Sequence, residues 1–226
     1  VRENPAAVKP RKDLVRDYYS LAGSLVADNA TEFPQESKDE LRKAAANWQA
    51  YLKHERGDPN PVVARYALQV FDAAGLRHPL PSYATIYRDT TLARGINPSA
   101  ASTFDAYSLT HTMFYLTGWG TKPPDAIPAS HRDRHAWLLE QMLGMSTRQR
   151  NWDLAGEFLL ALHCLEATGS ALYALGWEAL AASQWPDGTM PGPTYAPPPG
   201  DGEPDAAVAA TFATCCHTTL VAAFAG

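Results

Sequence analysis

The sequence is poor in cysteine, poor in cations over its second half and without any β-pattern, and each shortage excludes something. Three cysteines in 226 residues, two of them adjacent (Cys215 and Cys216), make no disulfide framework and suit a reducing compartment, which predicts a cytoplasmic protein. No apolar run is expected to approach the ~20 residues of a membrane span, and Val1 to Lys12 contains no signal-peptide hydrophobic stretch. From Asn151 onward there is no Lys or Arg, and residues 114–226 carry a net charge of −6 against +1 for residues 1–113. A groove for nucleic acid needs clustered cations to neutralise phosphates, so neither nucleic acid nor membrane is an expected partner. No segment alternates apolar and polar residues as a half-buried strand does.

What remains is apolar and helical. Hydrophobic residues make up 46% of the chain and the net charge is only −5, enough for one ordinary core and too hydrophobic for a disordered chain. A single all-α domain over residues 1–226 is predicted, with a flexible stretch at 1–10. Apolar residues recur at helical spacing between Pro and Gly breaks and outline nine helices. They cover about 11–28, 36–54, 61–75, 83–93, 98–118, 130–144 with Ser130 as N-cap, 151–167, 170–183 and 206–225. Between the last two, residues 185–205 are too rich in Pro and Gly for a regular element. That loop starts with an ordered-looking turn, Gln184-Trp185-Pro186-Asp187-Gly188.

Short connections make consecutive helices antiparallel neighbours, so alternate helices should form two layers. The helices at 98–118, 151–167 and 206–225 are mostly apolar, which predicts burial on nearly every side. Those three carry isolated polar groups: Thr110-His111, then Asp153 and Glu157 one turn apart, then His217-Thr218-Thr219. Buried polar groups cost about 1–3 kcal/mol each unless partnered, so they should face each other or a wet pocket. His111, Asp153 and His217 are therefore the expected catalytic groups: His111 or a carboxylate, Asp153 or Asp58 ahead of Pro59 at a helix entry, as the base, and His217 as a donor to a departing anion. Asp153 also fits a first-turn carboxylate favoured by the helix dipole, and His163 fits a core histidine satisfied locally. The expected cofactor is none. Zinc is the alternative, held by Cys164, Cys216 and His217 or by His111, Asp153 and His217, although no Cys-x-x-Cys or His-Glu-x-x-His spacing supports it.

The turn at Gln184 to Gly188, followed by a loop and Cys216-His217-Thr218-Thr219-Leu220, resembles the repeat of α/α-toroid proteins: squalene–hopene-type terpene cyclases, prenyltransferase β-subunits and lanthionine cyclases. The likeness covers about residues 100–226. It implies a partial toroid of about nine helices in two layers. No Asp-Asp-x-x-Asp or Asp-x-Asp-Asp segment is present, so terpene-cyclase chemistry is not implied, and the Trp-Cys-x-Gly partner of lanthionine cyclases is missing. A nearer likeness lies in Leu109-Thr110-His111-Thr112, Phe114-Tyr115-Leu116-Thr117, Asp153-Leu154, Leu160-Ala161-Leu162-His163 and His217-Thr218-Thr219. These segments resemble toroid-like proteins of natural-product gene clusters, in particular the large subunits of azinomycin-type aziridine-forming cyclases. That resemblance implies a small partner subunit, a substrate carried on an amino-group carrier protein, and displacement of a sulfated hydroxyl by a neighbouring amine. The alternatives are a zinc-dependent enzyme and a non-catalytic helical subunit that docks a partner.

Overall fold

Several of the described helices begin where a side chain can satisfy their first free N–H groups. The computed structural model describes residues 82–196 and 204–225, and by contacts the chain divides into two compact units, Val1–Thr90 and Thr91–Gly226. The expected helices before residue 80, the N-terminal stretch 1–10 and Asp58 lie outside the described residues. The described residues form helices and turns without a strand, so this part of the protein is all-α.

In the first unit, α1 (Tyr83–Tyr87) is capped by Ser82, whose hydroxyl accepts from the Thr85 N–H. In the second, α2 (Thr91–Arg94) and a 3-10 turn (Pro98–Ala100) lead into α3 (Thr103–Thr117). The continuous helix expected over 83–93 is thus broken at residues 88–90. A capping box starts α3: Ser102 accepts from the Asp105 N–H while the Asp105 carboxylate accepts from the Ser102 N–H. Next come α4 (Ala129–Arg148), α5 (Trp152–Cys164, capped by Asn151), α6 (Ala171–Ser183, capped by Ser170) and α7 (Pro204–Ala225). Two boundaries differ from expectation in α4. Pro128 occupies the N-cap position in place of Ser130, with no side-chain cap, and the helix runs through Gly144 to Arg148. Gly144 ends nothing because the chain reverses later, at Arg150, which takes a left-handed φ of 55°.

The core is built around α5. Eleven of its residues are buried, among them Ala155, Phe158, Leu159 and Leu162 with no exposed surface. It packs against α3, α4, α6 and α7, while α6 also packs on α4. Leu109, Met113 and Phe114 of α3 and Leu139 and Leu143 of α4 complete the apolar interior. Each such side chain stabilises the fold by about 1.5–3 kcal/mol relative to exposure.

The expectation that the last helix is buried all round is corrected. Val208, Phe212, Leu220 and Phe224 of α7 are 56–71% exposed, and only Cys215 and Thr218 among its described side chains are fully buried. Its stretch Ala207–Ala225 has a mean hydropathy of 1.5, long and apolar enough by composition to cross a membrane, contrary to the expectation that no run approaches that length. One side of α7 is fixed closely. A Cβ on Gly156 of α5 would lie 2.9 Å from Val221 Cγ1, and one on Gly192 would fall 1.7 Å from the Thr214 carbonyl oxygen. The loop around Gly192 is further tied by the Met190 N–H donating to Thr219 Oγ1 at 3.0 Å. The start of the Pro/Gly-rich segment is therefore built onto α7, and α7 begins at Pro204, two residues before its expected start.

Candidate active site

Three separate helices deliver the polar groups that the sequence singled out, and they meet. Asp153 and Glu157 sit one turn apart on α5, their side chains only 3% and 2% exposed. Asp153 collects three donors. The Tyr107 hydroxyl from α3 donates to Oδ2 at 2.6 Å, the His217 Nδ1–H from α7 to Oδ1 at 2.6 Å, and the Thr218 hydroxyl to the same oxygen at 3.0 Å. Glu157 Oε2 accepts from the Thr110 hydroxyl at 2.5 Å, and His111 Nε2 stands 3.7 Å from Oε1. His111, Asp153 and His217 thus converge as expected, with Glu157 joining them.

The sequence explains the placement. On α5 an i, i+4 spacing puts both carboxylates on one face. On α3 the residues Tyr107, His111 and Tyr115, four apart, form the half-exposed stripe of a helix otherwise buried from Ala106 to Thr117. Thr218 is buried beside the carboxylate, while His217 keeps 66% of its side chain exposed. With Nδ1 at Asp153, the tautomer that carries its proton there keeps Nε2 as the acceptor of a neutral ring. Burial first, and then the hydrogen bond to Asp153, push the Tyr107 phenol above the ordinary tyrosine range, so it remains a donor.

Tyr107 is the member of this cluster that sequence reasoning missed. Its signal was its position one turn before His111. The same stripe continues into an aromatic row: rings 5.8 Å apart link Tyr107 to His111 and His111 to Tyr115, and Trp119 lies edge-on to Tyr115 at 6.3 Å. Trp119 also stacks on Phe114 at 4.6 Å and approaches Phe224 of α7 at 6.3 Å.

Other expected groups go elsewhere. His163 is exposed and so is not a core histidine. The thiol of Cys164 is buried, its pKa raised by that burial despite a hydrogen bond with Thr117. Cys216 lines a different surface, the ≈ 750 Å³ concavity between the Trp185 turn and the outer stripe of α7. The ligand set Cys164, Cys216 and His217 is therefore not assembled: the group that could hold a metal among the described residues is Asp153, Glu157 and His217, with ligand atoms within 4.8 Å of one another. His111 of the second expected zinc set is replaced there by Glu157. A second concavity of ≈ 390 Å³ lies between α4 and α6, lined by Leu143, Arg148 and Leu175 among others.

No curated protein and no solved structure matches the chain. A domain of unknown function, DUF6895, matches residues 33–226, and with most of its length covered the chain belongs to the DUF6895 family.

Proposed function

We propose that this protein is a cytoplasmic biosynthetic enzyme that closes a small ring by acid–base chemistry of its own side chains. In the form implied by the resemblance to aziridine-forming cyclases, an amine of a carrier-bound amino acid attacks the neighbouring carbon that bears a sulfated hydroxyl. The C–N bond forms as the C–O bond breaks, sulfate leaves with the bonding pair, and the amine proton passes to His217 Nε2. An amine of lysine-like pKa near ~10 needs such an acceptor to react at neutral pH. Orientation of nitrogen and carbon in line supplies much of the remaining rate. No redox cofactor enters this balance. The partial α/α toroid, the small partner subunit and the amino-group carrier protein belong to the same proposal; the packing of α3 and α7 on α5 and of α6 on α4 is consistent with two layers.

The observation that carries this reading is the fixed pairing of His217 with Asp153, a carboxylate already held by Tyr107 and Thr218. It orients the imidazole and leaves its acceptor nitrogen at the exposed edge. Asp153→Asn and His217→Gln should each lower turnover of a carrier-bound sulfated amino acid by about 100-fold or more; His217→Gln should stay within about 1 kcal/mol of the parent in stability, while Asp153→Asn, which sets an amide NH2 against a donor, should cost about 1–3 kcal/mol and remain folded. Full turnover in both variants would remove the assignment. A metal-dependent centre is the second reading, favoured by the close grouping of Asp153, Glu157 and His217. Elemental analysis of active protein decides between the two, since metal-free turnover excludes the second.

A further inference from the structure

The carboxylate pair is short of positive charge. Asp153 and Glu157 are both buried, and their ion-pair partners among the described residues are histidines alone. The sequence supplies no Lys or Arg after Arg150. Buried carboxylates are costly unless a cation or several donors meet them. Glu157 is the less supplied of the two, with one hydroxyl at hydrogen-bond distance and His111 Nε2 at 3.7 Å. A ligand that brings its own positive charge fits this end.

A second feature points the same way. The row Tyr107, His111, Tyr115 and Trp119 starts beside the carboxylates, where the Tyr107 hydroxyl touches Asp153 and His111 faces Glu157. It ends at the surface, where Trp119 is 43% and Phe224 65% exposed. Aromatic faces attract organic cations and also bury hydrocarbon, whereas a bare metal ion gains little from them.

We propose that this strip binds an organic ammonium ion: an amine on an apolar body, its cationic end at Glu157 and His111 and its hydrocarbon along Tyr115, Trp119 and Phe224. The inference rests on the acid–base reading only for the step after binding, when the bound ammonium gives up its proton.

Binding and turnover therefore test different things. The full chain is titrated calorimetrically with phenethylammonium chloride and, separately, with the uncharged isostere 2-phenylethanol. The ammonium should bind at least tenfold more tightly. Trp119→Leu should weaken ammonium binding by about 3–30-fold, the range expected for a cation–aromatic contact. Glu157→Gln, which keeps the side-chain shape and an acceptor for Thr110, should weaken it by tenfold or more. Thermal melting of both variants confirms that they are folded. Equal affinity for amine and alcohol, or unchanged ammonium affinity in both variants, overturns the proposal. So does tight binding of zinc or magnesium chloride that depends on Glu157 while the ammonium fails to bind. Ammonium binding that survives alongside full turnover in Asp153→Asn would defeat the acid–base reading and leave this site standing. Loss of turnover in Asp153→Asn without ammonium binding would do the reverse.

Discussion

Helices α5 and α7 read almost alike as sequence and behave as opposites in the fold. Both are strongly apolar, each holds isolated polar groups, and neither contains a lysine or arginine. Yet α5 is packed by four other helices and buries its carboxylates, whereas α7 leaves Val208, Phe212, Leu220 and Phe224 in the open. The difference sets the chemistry. A carboxylate on the buried helix can be held by donors from two neighbouring helices, and an imidazole on the exposed helix can reach solvent from the same cluster. Apolar composition says that a helix seeks cover; it does not say how many neighbours it finds.

The most direct way to break this comparison is to truncate one phenylalanine on each helix. Phe158→Ala, at a position with no exposed surface, should cost about 3–5 kcal/mol of unfolding free energy. Phe212→Ala, at a position 71% exposed, should stay within about 0.5 kcal/mol. Urea unfolding of both variants measures the difference. A large loss from Phe212→Ala would mean that the face of α7 is covered in the protein in solution, and the contrast would collapse.

A smaller effect tests how α7 is held. Gly192→Ala places a Cβ against the Thr214 carbonyl, a fixed backbone atom, so the loop from Met190 must move off the helix. The expected cost is about 1–3 kcal/mol, with faster proteolysis in that loop. Unchanged proteolysis and stability would show that the loop is not seated there.

Two histidines extend the same contrast to pH. His217 is largely exposed, but His135 of α4 has no exposed surface. Burial first, then the charge of Arg134 and the neighbouring His131, lower the His135 pKa from 6.5 to about 4. The folded state therefore holds a neutral ring, while the unfolded chain takes up a proton once the pH falls below about 6.5. The contribution of His135 to stability is complete above that pH and is lost as the pH falls towards 4. The slope reaches at most about 1.4 kcal/mol per pH unit. Urea unfolding at several pH values between 7.5 and 4.5 measures it, and His135→Leu should flatten the dependence.

Much of this was legible in the residues because capping and helical spacing are local. Asn151 and Ser170 start the helices they were expected to start, and the i, i+4 pair Asp153 and Glu157 faces one site. Convergence of His111 and His217 on that pair was expected from the cost of burying polar groups, but that cost bears on the buried carboxylates and threonines, since the side chains of His111 and His217 are 36% and 66% exposed. What escaped depends on distant packing. The exposure of α7 is a matter of which elements cover it, and a tyrosine hydroxyl such as that of Tyr107 becomes a site group only when another helix places a carboxylate 2.6 Å away. Gly144 misled for a related reason, since glycine is a common stop signal but stops a helix only where the chain must turn.

The same two glycine environments provide the finest test. Gly144 lies inside α4 with nothing within 4 Å of where a Cβ would project. Alanine there loses less backbone entropy on folding and should stabilise the protein by about 0.5–1 kcal/mol. Gly156, also helical, sits where α7 crosses α5, and its Cβ would meet the methyl group of Val221 at 2.9 Å. The propensity gain is similar at both positions, so the difference between the two variants isolates the contact. Gly156→Ala should therefore be less stable than Gly144→Ala by about 1 kcal/mol or more. It should also shift the His217 ring resonances, because the moved helix carries that side chain. Equal stabilisation by both substitutions would mean that α7 does not approach α5 this closely, and the Asp153–His217 pairing would lose its structural support.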